Sequence, residues 1–222
     1  MPTASEPGPQ HVGTLWLLDL SEPSLIGPIP RVEVIFQLVG SEAIPLIADA
    51  MGLGSSEEVF KRLDAGKRCY IGNVNGVLAT YGWVTFDKEL IGELRLHIQL
   101  SPGEAYIWDC ATLLEYRGLR LYPSLLWYII GELRSQGLKR IWIGADADNI
   151  PSQVGMRLCG FHPIADFVQD YTLGLHSYWI RGHAGASEQH VEDARSAILG
   201  GRHKAGLAAL SSVNPDSTTS LF

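Results

Sequence analysis

The spacing of apolar side chains changes several times along this chain, and each change marks an element. Residues 1–11 are Pro-rich and read as a flexible N-terminus, and 13–20 (GTLWLLDL) follow as a first strand. A Pro-rich run at 22–30 is loop, while 32–39 (VEVIFQLV) fits a strand or a buried helix. Helical spacing appears at 41–51 and 56–63, each opened by a serine suited to capping; Pro45 falls in early turns and Gly66 stops the second helix. Gly52-Leu53-Gly54 has half a nucleotide-binding pattern but no strand ahead of it, so it reads as a helix-ending turn.

From Arg68 the period drops to two. Residues 68–74 and 77–86 are β-rich and joined by Asn75-Gly76, a tight-hairpin pair. Residues 90–100 read as one further strand of an antiparallel meander. Leu94, Leu96, Ile98 and Leu100 share one face, and Glu93, Arg95, His97 and Gln99 the other. The stretch 105–161 then changes pattern: strand 105–114, turn 115–120, apolar helix 121–135, strand 140–145, and a short helix from near Asn149 to Gly160. Strand, helix and strand in so short a span make a crossover, and hence a parallel pair. Residues 161–168 and 170–180 add closing strands, 187–199 an amphipathic helix, and 213–222 reads as disordered. The fold class is therefore α/β, a mixed, mostly antiparallel sheet with a central parallel βαβ crossover. Residues 12–182 make one domain, and 183–222 a C-terminal tail that is partly helical or disordered.

At 222 residues the chain is long enough for one full core. Its net charge of −7 argues against nucleic acid as the main partner and suits an amine-bearing substrate. The apolar run 125–130 is too short to cross a bilayer, and the N-terminus has no basic or apolar leader, so no membrane partner is expected and the cytoplasm is the expected location. Cys69, Cys110 and Cys159 are odd in number and set in apolar patterns, as buried thiols of a reducing compartment are, with no metal site. HExxH, paired-cysteine and G-x-S-x-G patterns do not occur.

A strand that turns straight into a helix leaves backbone N–H groups facing the turn, and such turns bind anions. Here the turn runs Arg117-Gly118-Leu119-Arg120-Leu121-Tyr122, after Glu115-Tyr116 and ahead of Asn149, Ser152 and Gly160-Phe161. This arrangement resembles the GCN5-related N-acetyltransferases, the GNAT superfamily. Their pyrophosphate signature is Arg or Gln, two variable residues, Gly, one variable residue, then Gly or Ala. The resemblance covers roughly residues 68–180. Arg120 and Tyr122 stand where the signature has small residues, and Pro123 removes one N–H. The loop still works if those two side chains point away while the N–H groups of Leu119, Arg120, Leu121, Tyr122 and Ser124 point inward. Arg117 and Arg120 then add charge-assisted contacts.

The resemblance implies an acyl-CoA-dependent N-acetyltransferase moving an acetyl group from acetyl-CoA to a primary amine of a small molecule. A catalytically silent acyl-CoA-binding module and a protein or peptide N-acetyltransferase are the alternatives, and a homodimer stays open. In such folds strands 105–114 and 140–145 splay apart and the pantetheine arm lies between them. The implied cofactor-binding set is Thr112, Leu114, Arg117, Gly118, Leu119, Arg120, Leu121, Tyr122, Ser124, Asn149 and Ser152. An N–H near Thr112 or Leu113 polarises the thioester carbonyl, and Asn149 either bonds the pantetheine or simply caps its helix.

A base must take the amine's proton. Asp109 is the first candidate, because a carboxylate among Ile107, Trp108 and Cys110 is costly unless paired or used; a hydrogen-bonded structural aspartate is the other reading. Glu93 and His97 line either an acceptor pocket or a solvated sheet face. The tyrosine that the family uses to return a proton to the thiolate falls at Met156, leaving Tyr171, Tyr106 or water as substitutes. Trp83, Tyr81 and Trp108 read as an acceptor wall or as core.

Overall fold

The computed structural model describes residues 10–22, 26–91, 96–172 and 175–199; the expected disorder at 213–222 and the candidate Glu93 lie outside these. In chain order the elements are β1 (Gln10–Asp19), β2 (Ile35–Val39), α1 (Ile44–Ala50), α2 (Glu57–Asp64), β3 (Arg68–Val74), β4 (Val77–Thr85), β5 (Lys88–Ile91) and β6 (Leu96–Gln99). There follow β7 (Glu104–Thr112), α3 (Leu121–Ser135), β8 (Arg140–Asp146), α4 (Ile150–Leu158), β9 (His162–Thr172), β10 (Leu175–Gly182) and α5 (Glu188–Leu199). Eight strands form one sheet in the order β10-β9-β1-β8-β7-β4-β3-β2, and β5-β6 stand apart as a two-stranded sheet. Only the β7–β8 neighbours run parallel among the described strands.

The expected crossover is present, and α3 shows why it forms. Leu121, Leu125, Leu126, Ile129, Ile130 and Leu133 recur at helical spacing and are all buried. The last five pack with Trp16, Ile107, Ile143, Met156 and Phe161 on one face of the sheet, and Leu121 packs with Val74 and Ala79. Each such side chain contributes roughly 1.5–3 kcal/mol on burial, so α3 is anchored by its stripe rather than by its caps. The opposite face carries α1 and α2 over Cys69, Ile71 and Trp83, and α5 over Leu15, Trp142 and Phe167. Because α5 buries Val191, Ala194, Ala197 and Ile198, the packed unit continues to Leu199, past the boundary expected at residue 182.

Of residues 32–39, which fit a strand or a buried helix, 35–39 form a short strand at the sheet edge. Two expectations are corrected. The 90–100 run is not one strand: β5 and β6 form a hairpin pairing Leu90 with His97, and the Leu100 amide bonds the Asp87 carbonyl at 2.7 Å, so β4 pairs directly with β7. Ser56 stands at the start of α2, and Ser41 opens the turn before α1, but neither helix start is capped by a side-chain hydrogen bond.

The first strand is also deep in the sheet, between β8 and β9. A buried carboxylate pins it: Asp166 of β9 accepts from Thr14 Oγ1 of β1 at 3.1 Å, from His183 Nδ1 at 2.8 Å and from Arg181 at 3.2 Å. Burial alone would push the Asp166 carboxyl up, but the His183 bond and the surrounding cations outweigh it and hold the group below its ordinary value.

Candidate functional site

The parallel pair opens partway along. β7 and β8 are in register from Glu104↔Arg140 to Ile107↔Ile143, after which β7 continues to Thr112 and β8 to Asp146 with no pairing between them. β8 stays with β1 through Gly13↔Asp146, and β7 stays with β4 through Thr80↔Thr112, so a gap develops between the two central strands. A bulge lies at its head. Tyr81↔Ala111 and Trp83↔Trp108 leave Asp109 and Cys110 opposite Gly82, and Asp109 takes φ of 43°. The Leu113 amide donates to the Ala79 carbonyl at 2.9 Å, which makes Thr80↔Thr112 a non-hydrogen-bonded pair. The N–H and C=O of Thr112 therefore point toward the β8 side, into the gap.

The turn into α3 lies beside that opening. Gly118 has φ of 79°, and Arg120, the helix N-cap, is left-handed at φ of 60°. The amides of Leu121 and Tyr122 have no acceptor within the helix, and Pro123 has no N–H. Ser124, expected to turn its amide to an anion, does not: its N–H bonds the Arg120 carbonyl at 3.3 Å, and its hydroxyl donates to the Arg120 (2.8 Å) and Pro28 (3.1 Å) carbonyls. Leu114 also departs from expectation, since it lies in a short 3-10 turn and is 72% exposed. Arg117 Nε donates to the Thr112 carbonyl at 3.3 Å, tying the turn to the strand end.

Across the gap, Asn149 caps α4, its Oδ1 accepting from the Ser152 amide at 3.2 Å, which supports the capping reading. Tyr122 reaches toward the same helix. Its ring lies on Gly155, where an added Cβ would meet Cδ1 and Cε1 at 2.7 Å. Met156 is buried one turn further on. Of Tyr171 the backbone alone is described, paired with His176.

Asp109 is not the enclosed carboxylate that its neighbours suggested. The bulge turns it out until its side chain is 32% exposed, and Arg62 of α2 pairs with it. The Arg62 guanidinium also bonds Glu58 at 3.0 Å and lies 4.5 Å from the Trp108 ring centre and 5.1 Å from that of Trp83. Trp83 and Tyr81 are core residues, and His97 is exposed on β6 away from the gap. Cys69 and Cys159 are buried thiols pushed up to about 12 by burial, while Cys110 is half-buried in the bulge.

Residues 54–161 match the family model described as the acetyltransferase (GNAT) family. Over these residues the chain is similar to GNAT acetyltransferase domains. An acetyltransferase of the GNAT family from Colwellia psychrerythraea superposes with a TM-score of 0.56 at 13% identity, over 74% of this chain and 57% of that one. A GCN5-related N-acetyltransferase from Sphaerobacter thermophilus does so with a TM-score of 0.51 at 13% identity, over 78% and 52% respectively. The chain thus spans little more than half the length of either structure, and at this identity the likeness concerns the fold. No curated protein matches the chain significantly.

Against the GNAT signature, Arg120 occupies the glycine position and adopts the left-handed backbone that glycine takes without strain. Sequence patterning missed two residues. Arg31, in the Pro-rich segment, donates from its amide to the Leu119 carbonyl at 2.9 Å and from its guanidinium to the Gly118 carbonyl at 3.1 Å, clamping the turn. Arg62 faces Asp109 from another element, and its Glu58 partner four residues earlier was the available local signal. GNAT chemistry in general is acyl-CoA-dependent acetyl transfer. No helix among the described residues is long and apolar enough to cross a membrane.

Proposed function

We propose that the protein transfers an acetyl group from acetyl-CoA to a primary amine of a small molecule, in the cytoplasm. The observation that carries this reading is the parting of β7 from β8 beside a helix-opening turn with free amides. The turn is open at Gly118, where nothing lies within 4 Å of a built Cβ. In this proposal the amides of Leu121 and Tyr122 hold the diphosphate, with Arg117 and Arg120 beside them and Arg31 fixing the turn. Thr112 offers its outward N–H and C=O to the pantetheine amides. Bound acetyl-CoA supplies an acyl group activated as a thioester. Asp109, fixed by Arg62, receives the acceptor's ammonium, whose proton then leaves through water. Asp109 is thus proposed as a positioning carboxylate rather than the base.

Tyr122 favours a second reading. Its ring takes the space over Gly155 beside the gap, and a silent acyl-CoA-binding module would tolerate that. Titration calorimetry with acetyl-CoA, followed by free-thiol release on a panel of small primary amines and amino-terminal peptides, decides between them. Binding with turnover on small amines supports the proposal, turnover on peptides alone redirects the acceptor, and binding without turnover makes the protein a silent module. Absence of binding removes the acyl-CoA reading altogether.

A further inference from the structure

We infer that β2 is the interaction surface of a homodimer: its free edge pairs with the β2 edge of a second copy about a two-fold axis at Gln37, joining two eight-stranded sheets into one. The inference stands apart from the acetyl-transfer reading, because it concerns the rim of the sheet and not the gap between β7 and β8.

The last strand of a sheet leaves alternate residues with a free N–H and C=O, and proteins guard such edges with charges, proline, bulges or a covering element. β2 has no such guard among the described residues. Its sequence, Ile35-Phe36-Gln37-Leu38-Val39, holds no charge and no proline, and its register with β3 runs from Ile35↔Asn73 to Val39↔Cys69 without a shift. Ile35 is 64% exposed and Leu38 47%. The opposite edge, β10, is guarded: Arg181 stands exposed on it, and α5 packs on Ile180.

The strand is also its own complement. An antiparallel pairing centred on Gln37 sets Ile35 opposite Val39 of the second copy, Phe36 opposite its Leu38, and the two glutamines opposite each other. Odd residues meet odd and even meet even, so outward N–H groups face outward C=O groups along the whole contact. Phe36 stacks on Tyr128 of α3 with ring centres 5.6 Å apart. Leu38, two residues on, shares that face, so Phe36 and Leu38 form an apolar row across the axis. On the other face Ile35 lines up with Val39, which packs with Ile47 of α1.

Size decides how firmly the copies hold. A stable interface takes roughly 20–30 residues from each side, and the edge strand has five. The chain runs from β2 straight toward α1, and a groove of about 370 Å³ there is lined by Gly40, Ile44, Phe60 and Leu63. The pairing brings Ile35 of one copy next to Val39 and Gly40 of the other, at the mouth of this groove. Leu46 and Phe60 stand exposed on the same two helices. Strand, groove and rim together stay below the size of a permanent interface, so the dimer is expected to be reversible and to dissociate on dilution through micromolar concentrations.

Sedimentation velocity on the full chain tests this, with an expected monomer–dimer equilibrium in that range. Leu38→Lys places a charge on an already exposed position and is expected to weaken the dimer by about tenfold or more, with Tm unchanged. Leu158→Lys, at a similarly exposed leucine on α4, should leave it as in wild type. Mild oxidation tests the register. Gln37→Cys puts two thiols opposite each other, within the Cα separation of about 4.4–6.8 Å that a disulfide takes, whereas Ile35→Cys leaves its two thiols out of register. A cross-linked dimer from Gln37→Cys, and none from Ile35→Cys or wild type, supports the pairing. A monomer at every concentration, a dimer that Leu38→Lys leaves intact, or equal cross-linking of the two cysteine variants overturns it. A monomer whose β2 amides are all protected from hydrogen exchange would show that another part of this chain covers the edge, which overturns it too.

Discussion

Replacing Arg120 by glycine separates the two things that residue does. Arg120 holds φ of 60° at the cap of α3, a conformation that costs a residue with a Cβ about 1–2 kcal/mol. Among the described residues its exposed guanidinium makes no hydrogen bond or ion pair, so no contact is lost on truncation. Glycine introduces its own cost in the unfolded chain, about 0.5–1 kcal/mol. The difference leaves a net stabilisation of about 0.5–1 kcal/mol, or roughly 1–4 °C in Tm for a chain of this size. Urea unfolding and thermal scans of Arg120→Gly measure it directly. Calorimetry on the same variant reads the ligand side: if the amides of Leu121 and Tyr122 hold the diphosphate, CoA affinity stays within about threefold, against a tenfold loss for a charge-assisted bond of about 1.5 kcal/mol. A lower Tm would refute the strain argument. A tenfold weaker affinity would move the anion from backbone to guanidinium.

Other outcomes follow from the same geometry. Arg117→Ala should weaken CoA binding about tenfold, and Arg31→Ala should weaken it several-fold by loosening the turn, both read by calorimetry. Asp109→Asn and Arg62→Met should each lower kcat by less than about tenfold and shift KM for the acceptor, because the pair positions; a hundredfold or larger loss in Asp109→Asn alone, with the acid limb of the pH profile removed, would make Asp109 the base after all. The depressed Asp166 carboxyl contributes stability that is fully present above the ordinary carboxylate value of about 4 and is lost as pH falls through its lower folded value. Unfolding free energies measured from pH 2 to 6 should therefore rise with pH in wild type and flatten in Asp166→Asn.

The crossover was legible because its signals are local: a period change, a glycine in the turn, and an apolar stripe long enough to be a helix. Alternation also assigned Ile98 and Leu100 to a buried face. It does not reveal where a strand reverses, so β5 and β6 read as one segment. Nor does it name a partner, which is why the position of β1 was invisible. The Asp109 bulge depends on a mismatch with Gly82 across the sheet, and Arg31 meets Gly118 over a separation of 87 residues. The half of the site made by the turn could be read from its own residues, and the half made by neighbours could not.

The seating of β1 has a consequence for how the chain acquires its shape. Made well before its partners, β1 pairs with β8 and β9, both from the last third of the folded unit, so it waits unpaired until they emerge. Contacts that span so much sequence close late and slow the search, and an apolar LWLL run left waiting is open to wrong pairing. A circular permutant that carries this segment after Leu199 would bring it nearer to β9 in sequence, and faster refolding of such a variant would show that the separation of the pairing strands sets the rate.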